Sequence, residues 1–301
     1  MRLATYQGAD GPRAGLIVGD QIVDIAAGSS LPSTMIEIIE QSDAALRALR
    51  ELESTAKGGG AKGQPLGSVT LLAPIPRPRK NVFCLGLNYQ AHIDEGRTQR
   101  GENMPGAAGQ PATPEWPTYF TKAPTAVIGP GATIPLHAHV TERLDWEVEL
   151  ALIIGPGGVD IAAERAYDHI FGYTVLNDVS AREVQRRHGQ QWFKGKSLDG
   201  SCPMGPWIVT RDELGKADNL RITLRVNGVT KQDSNTRMLI FDIPTMIAGL
   251  SAGITLEAGD IVATGTPDGV GNARKPPEYL KAGDVVECEV EGIGVLSNTV
   301  G

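Results

Sequence analysis

The chain has 301 residues, enough to bury a substantial core as one large domain or as two unequal ones. Its 28 basic and 35 acidic residues give a formal charge of -7, which offers no electrostatic footprint for nucleic acid. No segment approaches the ~18 consecutive apolar residues of a membrane span, so we expect a small-molecule partner and no membrane insertion.

The cysteines indicate the compartment. Cys84, Cys202 and Cys288 lie far apart, so they form neither a disulfide framework nor a zinc-binding spacing. The first residues lack the apolar stretch of a signal peptide. We therefore expect a reducing, cytoplasmic location.

The N-terminal part predicts a small α+β module. Short strands are predicted at 3–6, 15–18 and 21–24, followed by a helix near 33–53. A Gly- and Lys-rich stretch at 55–65 reads as a loop or linker. The sequence therefore predicts a small α+β domain with its linker over residues 1–68 and a main domain over 69–301.

The main domain predicts a β-rich α+β fold. Many short strands alternate with Gly and Pro, and few helices are predicted, which favours a roll, barrel or sandwich with peripheral helices. Residues 284–290 and 294–300 alternate in hydropathy around a short turn and predict a closing hairpin.

His92 and Glu95 are three residues apart in a segment that predicts a helix, so both side chains lie on neighbouring surface positions. A carboxylate that orients an imidazole is typical of a general base, although a plain surface contact explains the same spacing. The irregular segment 96–117 follows directly, and its length predicts a lid or a disordered loop.

Glu147 and Glu149 are the most informative residues. They occupy alternate positions of an apolar strand, so both carboxylates face the same side. Asp178 follows another apolar run and precedes a stretch beginning at Ser180 that predicts a helix. Three carboxylates predict a hard cation such as Mg²⁺, Mn²⁺ or Ca²⁺. The alternatives are a solvent-facing strand for the glutamates and a helix cap for Asp178.

Further polar residues are candidates for binding an anionic substrate. Lys196 would face a carboxylate or an oxyanion, and Arg182 with Gln185 would add contacts from the helix after Asp178. Backbone amides of the glycine-rich loop 264–271 and the Thr266 hydroxyl would also hold a carboxylate, unless the loop is a plain turn.

Together these segments resemble the fumarylacetoacetate hydrolase family, over residues 81–301. The resemblance rests on segments that follow one another in order: 84–89 with His92 and Glu95, 120–122, 128–131, 145–149, 177–182, 196–199, 203–207 and 265–271. It is similar to the smaller bacterial branch, which includes acylpyruvases and 2-hydroxyhepta-2,4-diene-1,7-dioate isomerases. Asn88 departs from family members that provide a further carboxylate near that position.

The resemblance implies a mixed β-roll, usually dimeric, built around Mg²⁺ or Mn²⁺. The implied metal ligands are Glu147, Glu149 and Asp178. His92 and Glu95 would activate water, Lys196 would stabilise negative charge, and the implied substrate contacts are Arg182, Gln185, Thr266 and Tyr89.

The implied reaction is hydrolysis of a C–C bond in a 2,4-dioxo acid of the acylpyruvate or fumarylpyruvate type, through a metal-bound enolate, as in aromatic catabolism. The alternative at the same site is isomerisation, decarboxylation or dehydration of a 2-hydroxy-dienedioate or of a 2-oxo acid such as oxaloacetate. A third hypothesis is a non-catalytic, metal-dependent protein that binds 2-oxo acids.

Overall fold

The computed structural model describes residues 1–100, 113–189 and 191–301. Its N-terminal part contains strands and helices in the order β1 (Arg2–Gly8), β2 (Gly11–Val18), β3 (Gln21–Asp24), α1 (Ile25–Gly28), α2 (Met35–Glu40), α3 (Ser42–Lys57), β4 (Gln64–Pro65) and β5 (Leu71–Leu72).

The middle of the chain holds the predicted site segments. Its elements are β6 (Val82–Gly86), α4 (Gln90–Arg100), β7 (Thr118–Lys122), β8 (Val127–Ile128), β9 (Leu144–Asp145), β10 (Val148–Ile154), β11 (Ile170–Asn177), β12 (Ser180–Ala181), α5 (Arg182–Arg187), α6 (Phe193–Lys196) and β13 (Cys202–Thr210).

The remaining elements complete the fold. They are α7 (Arg211–Leu214), β14 (Arg221–Val226), β15 (Val229–Asn235), α8 (Ile243–Ser251), β16 (Ile261–Ala263), β17 (Val285–Val290) and β18 (Gly294–Thr299). Short 3₁₀ turns lie at Leu66–Ser68, Pro124–Ala126, Ala163–His169, Thr236–Met238 and Gly271–Ala273.

Within the described residues, one twelve-stranded sheet forms the centre of the molecule, with the order β4-β3-β2-β1-β13-β11-β10-β16-β6-β7 and with β5 and β8 as side branches. Most pairs are antiparallel, but β16 pairs with β6, and β13 with β8, in parallel. A second sheet has the order β15-β14-β17-β18. The fold is therefore α+β and β-rich, as predicted, and the closing hairpin of β17 and β18 is confirmed.

The N-terminal strands join the central sheet directly. Arg2 pairs with Val209 and Leu3 with Ile208, so β1 lies beside β13. One buried apolar cluster contains Leu3 and Ile38 together with Ile208 from the main part of the chain. The expected boundary at residue 68 stays a prediction, but no solvent layer separates the two parts at this interface.

Two local predictions in the N-terminal part differ from the structure. The single helix expected near 33–53 is two helices, because Ser42, the first residue of α3, adopts a left-handed φ of 47°. The break lets both helices direct apolar side chains, Ile38 and Leu49 among them, into one core. Helix α3 also continues to Lys57, and Gln64–Pro65 pairs with β3, inside the stretch predicted as a loop.

The segment 96–117 was predicted to be irregular. Helix α4 continues to Arg100, so the prediction is wrong for 96–100, and residues 101–112 lie outside the described residues. In the described part of the chain, every helix is too short or too polar to cross a bilayer.

Asp24 lies at the end of β3 in a small charged cluster. Its carboxylate accepts hydrogen bonds from Arg13 Nη2 at 2.8 Å and from the Tyr6 hydroxyl at 2.6 Å. It also accepts from the Ala27 amide, which caps α1. The Arg13 hydrogen bonds are the main cause that lowers the pKa of Asp24 from 3.8 to about 2.

We expect Asp24→Asn to lower the free energy of unfolding by about 1–2 kcal/mol at neutral pH, since one pKa unit corresponds to about 1.4 kcal/mol and the site is partly exposed. The folded pKa lies below the unfolded value, so the stabilisation is complete above about pH 4 and is lost as the pH falls towards 2. Urea unfolding across this range measures the effect, with the exposed Asp20→Asn as control. A difference that stays constant down to about pH 2 would contradict the assignment.

Candidate active site

Three carboxylates meet at one end of the paired strands β10 and β11. Glu147 precedes β10, Glu149 lies within it, and Asp178 follows β11. The Asp178 amide donates to the Glu147 carbonyl at 2.8 Å, which ties the two strand ends together. All three side chains are buried, and their carboxylate oxygens lie within 4.8 Å of one another. The structure therefore brings together the three predicted ligands. The alternative in which the two glutamates face solvent is wrong.

Two of these carboxylates are surrounded by cations. Lys196 Nζ lies 2.7 Å from Glu147 Oε2 and 2.6 Å from Asp178 Oδ2. Arg182 Nη1 lies 2.6 Å from Glu147 Oε1, and Lys122 Nζ lies 2.7 Å from Asp178 Oδ1. Burial alone would raise the pKa of Glu147, but the charges of Lys196 and Arg182 hold it well below its usual range.

Glu149 differs from its two neighbours. Its Oε2 accepts a hydrogen bond from the Gly265 amide at 2.8 Å, and no side-chain cation of the described residues forms a salt bridge with it. Burial, followed by repulsion from Asp178 and Glu147, raises its pKa well above the usual value. A buried carboxylate in this position is stabilised by an additional cation. The oxygen-only donor set of the three carboxylates fits a hard divalent ion.

His92 and Glu95 form the second part of the site on helix α4. His92 Nδ1 lies 2.7 Å from Glu95 Oε1, and Glu95 Oε2 accepts from the Gly269 amide at 2.8 Å. With Glu95 as a carboxylate, Nδ1 of neutral His92 carries the proton and Nε2 has a free lone pair. A protonated His92 is among the causes that lower the pKa of Glu147, which places the pair near the carboxylates.

Lys196 lies inside the site, between two carboxylates. Burial would lower its pKa, but Asp178 and Glu147 raise it above the usual value, so the ammonium stays charged. Its Nζ also lies 5.0 Å from the centre of the Phe120 ring. The structure therefore places the predicted cation, Lys196, in the site, where it pairs with two carboxylates of the protein.

Arg182 and Gln185 lie on helix α5 beside the carboxylates. Arg182 Nε donates to Asp145 Oδ2 at 2.8 Å, and Nη1 lies 3.4 Å from Gln185 Oε1. Its Nη2 is buried and has no hydrogen-bond partner among the described residues. A buried N–H donor without a partner suits an anionic ligand.

The other two predicted contacts, Tyr89 and Thr266, are also buried near the site. The Tyr89 hydroxyl has no partner among the described residues, and burial together with the charge of Glu149 raises its pKa. The Thr266 hydroxyl accepts from Gln232 Nε2 at 2.9 Å. Their roles as substrate contacts stay predictions.

Three residues that organise the site were not among the candidates. Asp145 accepts from the Gly271 amide at 2.7 Å while it holds Arg182. Gln232 accepts from the Val148 amide at 3.0 Å, which links β10 to β15. Lys122 contacts Asp178 directly. The only signal for these residues in the sequence is that Asp145 and Lys122 lie within segments that carry the family resemblance.

Asn88, which the sequence singled out as a departure from some family members, has a structural role. Its side-chain amide donates to the Thr264 carbonyl at 2.9 Å, and its Oδ1 accepts from the Phe241 amide at 2.8 Å. The neutral side chain therefore joins three segments next to the site. The carboxylate set stays at Glu147, Glu149 and Asp178 in the described part of the chain.

The sequence model of the fumarylacetoacetate (FAA) hydrolase C-terminal domain matches residues 81–301. The chain belongs to the fumarylacetoacetate hydrolase family. It is 41% identical to oxaloacetate tautomerase YisK of Bacillus subtilis over 313 residues, covering 100% of both chains. The family prediction and the predicted fold are confirmed.

Two solved structures share this fold. The fumarylacetoacetate hydrolase of Exiguobacterium antarcticum matches with a TM-score of 0.82 and 39% identity, over 100% of this chain and 99% of that one. Maleylpyruvate hydrolase of Sphingobium sp. SYK-6, in complex with manganese and pyruvate, matches with a TM-score of 0.77 and 32% identity, over 100% and 98%. The chain is therefore an enzyme of this family, similar both to a tautomerase and to a hydrolase.

Proposed function

We propose that this protein is a divalent-metal-dependent tautomerase that interconverts the enol and keto forms of a 2-oxo dicarboxylic acid, with oxaloacetate as the first candidate. The observation that carries the proposal is the 41% identity to an oxaloacetate tautomerase along the whole of both chains. This favours the alternative reaction over the hydrolysis that we expected from the sequence. The reaction moves one proton between C3 and the 2-oxygen and consumes no water.

The three carboxylates support the metal requirement. Glu147, Glu149 and Asp178 would hold Mg²⁺ or Mn²⁺, and the manganese in the similar maleylpyruvate hydrolase favours trying Mn²⁺ first. When bound, such an ion acts as a Lewis acid that polarises an oxo group and makes the adjacent carbon more acidic.

His92 is the proposed proton carrier. Its Nε2 would accept a proton from C3 and pass it to the 2-oxygen in the keto-to-enol direction, and would carry a proton from the 2-oxygen back to C3 in the other direction. Glu95 fixes the tautomer through Nδ1, and the Gly269 amide holds Glu95 in place. Because the same histidine serves both directions, the site needs no second base at carbon.

Two cationic side chains in the site would stabilise the anionic substrate. Arg182 presents the unpartnered, buried Nη2, and Lys196 presents a charged ammonium beside the carboxylates. Both groups act in a site shielded from water, where an ionic hydrogen bond is stronger than at the surface. Gln185, Thr266 and Tyr89 would complete the substrate contacts. Dimerisation and a cytoplasmic location stay predictions.

The proposal is tested with freshly dissolved enol-oxaloacetate and protein that has been stripped of metal by a chelator. Ultraviolet absorbance follows loss of the enol, and the uncatalysed rate is subtracted. We expect acceleration that requires added Mn²⁺ or Mg²⁺ and a product of unchanged mass. Absence of any acceleration by protein that binds Mn²⁺ would exclude this function.

Hydrolysis is the second candidate, because the similar structure from Sphingobium is a maleylpyruvate hydrolase. The same protein is therefore also offered maleylpyruvate and acylpyruvates. Products that have gained one water and separated into two acids would identify a hydrolase, whereas tautomerisation leaves the carbon skeleton intact.

A further inference from the structure

Lys122, the last residue of strand β7, is a lysine with 0% exposure. Lysine is almost never fully buried unless its charge is paired, because removing an ammonium from water is costly. The partners of the Lys122 ammonium therefore show what this residue does in the site.

All three N–H donors of the Lys122 ammonium are used by the protein. Nζ donates to Asp178 Oδ1 at 2.7 Å and to the Val179 carbonyl at 3.1 Å. The third partner is the carbonyl of Lys196. An ammonium has only three donors, so Lys122 has none left for a substrate. It acts through its neighbours.

Strand β7 supports Lys196 at two points. Phe120 and Lys122 are two residues apart in the strand, so their side chains point to the same face. The Phe120 ring lies 5.0 Å from Lys196 Nζ, while Lys122 holds the Lys196 carbonyl. The strand thus fixes both the backbone and the ammonium of the residue that contacts Glu147 and Asp178.

We propose that Lys122 is a positioning residue that orients Asp178 and Lys196 for binding of the divalent ion. Lys122 holds Oδ1 of Asp178, and Lys196 lies against Oδ2, so the carboxylate cannot rotate. Partners that orient a metal ligand in this way typically change metal affinity by about 10- to 100-fold when they are removed. This inference rests on the metal site of the proposed function.

The test is the affinity of the full chain for Mn²⁺, measured by titration calorimetry on Lys122→Met and on the wild-type protein. A positioning role and a purely electrostatic role of Lys122 predict opposite changes in Mn²⁺ affinity. Loss of a nearby positive charge alone would tighten binding of a cation, whereas loss of positioning weakens it. We expect Lys122→Met to bind Mn²⁺ about 10- to 100-fold more weakly.

Two further variants control the experiment. Lys122→Gln removes the same charge but keeps an amide donor, so we expect a smaller loss of affinity than in Lys122→Met. It also supplies the measurement if Lys122→Met does not fold. Lys80→Met removes a lysine that is paired with Glu257 and Asp260, and we expect wild-type affinity.

The two ways of failing are distinguishable. Unchanged or tighter Mn²⁺ binding in the folded Lys122 variants, with a normal wild type, overturns the role of Lys122 alone. A wild-type protein that binds no divalent ion overturns the proposed function and the role of Lys122 together.

Discussion

Replacing Glu149 with glutamine is expected to lower the metal-dependent rate by about 1,000-fold or more, because a bound metal supplies several kcal/mol of charge stabilisation and each 1.4 kcal/mol is a factor of ten. The variant keeps the size of the side chain but loses the charge. Calorimetry should show that Mn²⁺ binding is lost or strongly weakened.

The same substitution should affect stability in the opposite direction. Glu149 is 1% exposed and forms no salt bridge among the described residues, and burial raises its pKa. The metal-free protein must therefore either keep a poorly compensated buried charge or protonate this carboxyl group, and both cost folding free energy. We expect metal-free Glu149→Gln to unfold at a higher temperature than metal-free wild type. Glu289→Gln, on the half-exposed face of β17, is the control and should keep both metal binding and rate. A variant that retains Mn²⁺ affinity would show that Glu149 is not a ligand.

His92→Asn is expected to reduce the tautomerisation rate by about 100- to 10,000-fold, the usual contribution of a positioned general acid or base. Metal affinity should stay unchanged, because His92 is not one of the three clustered ligands. The rate is measured with enol-oxaloacetate at saturating Mn²⁺, and affinity by calorimetry.

His169→Asn is the matched control, since His169 is half-buried and contacts the Pro156 carbonyl at 2.7 Å, outside the carboxylate cluster. A His92 variant with normal rate would assign proton transfer to another group. Weaker Mn²⁺ binding in the same variant would instead place His92 in the metal site.

Two pairs of site residues could be predicted from the sequence, because their proximity follows from their spacing within one strand or one helix. The spacing of Glu147 and Glu149 fixed their common face, and the spacing of His92 and Glu95 fixed their contact within one helix turn. Asp178 was found as the polar residue that ends an apolar run. Their assigned roles rested on the family resemblance.

Long-range partners could not be read from local patterns. Lys122 is 56 residues from Asp178, and Gln232 is 84 residues from Val148, so only the sheet topology brings them together. The break between α2 and α3 was missed for another reason. Apolar residues recur on both sides of Ser42, so the sequence pattern carries no signal of the left-handed backbone there.

Pairing of the first strand with β13 also determines when the protein can complete its fold during synthesis. Val209, the partner of Arg2, is made 207 residues after it. Until then Arg2 and Leu3 have no partner strand on that edge of β1, although β5 pairs with Thr5 and Tyr6. An unpaired edge is a site of intermolecular association. The central sheet therefore closes late in translation, and we expect newly made chains to depend on chaperones more than their final stability would suggest.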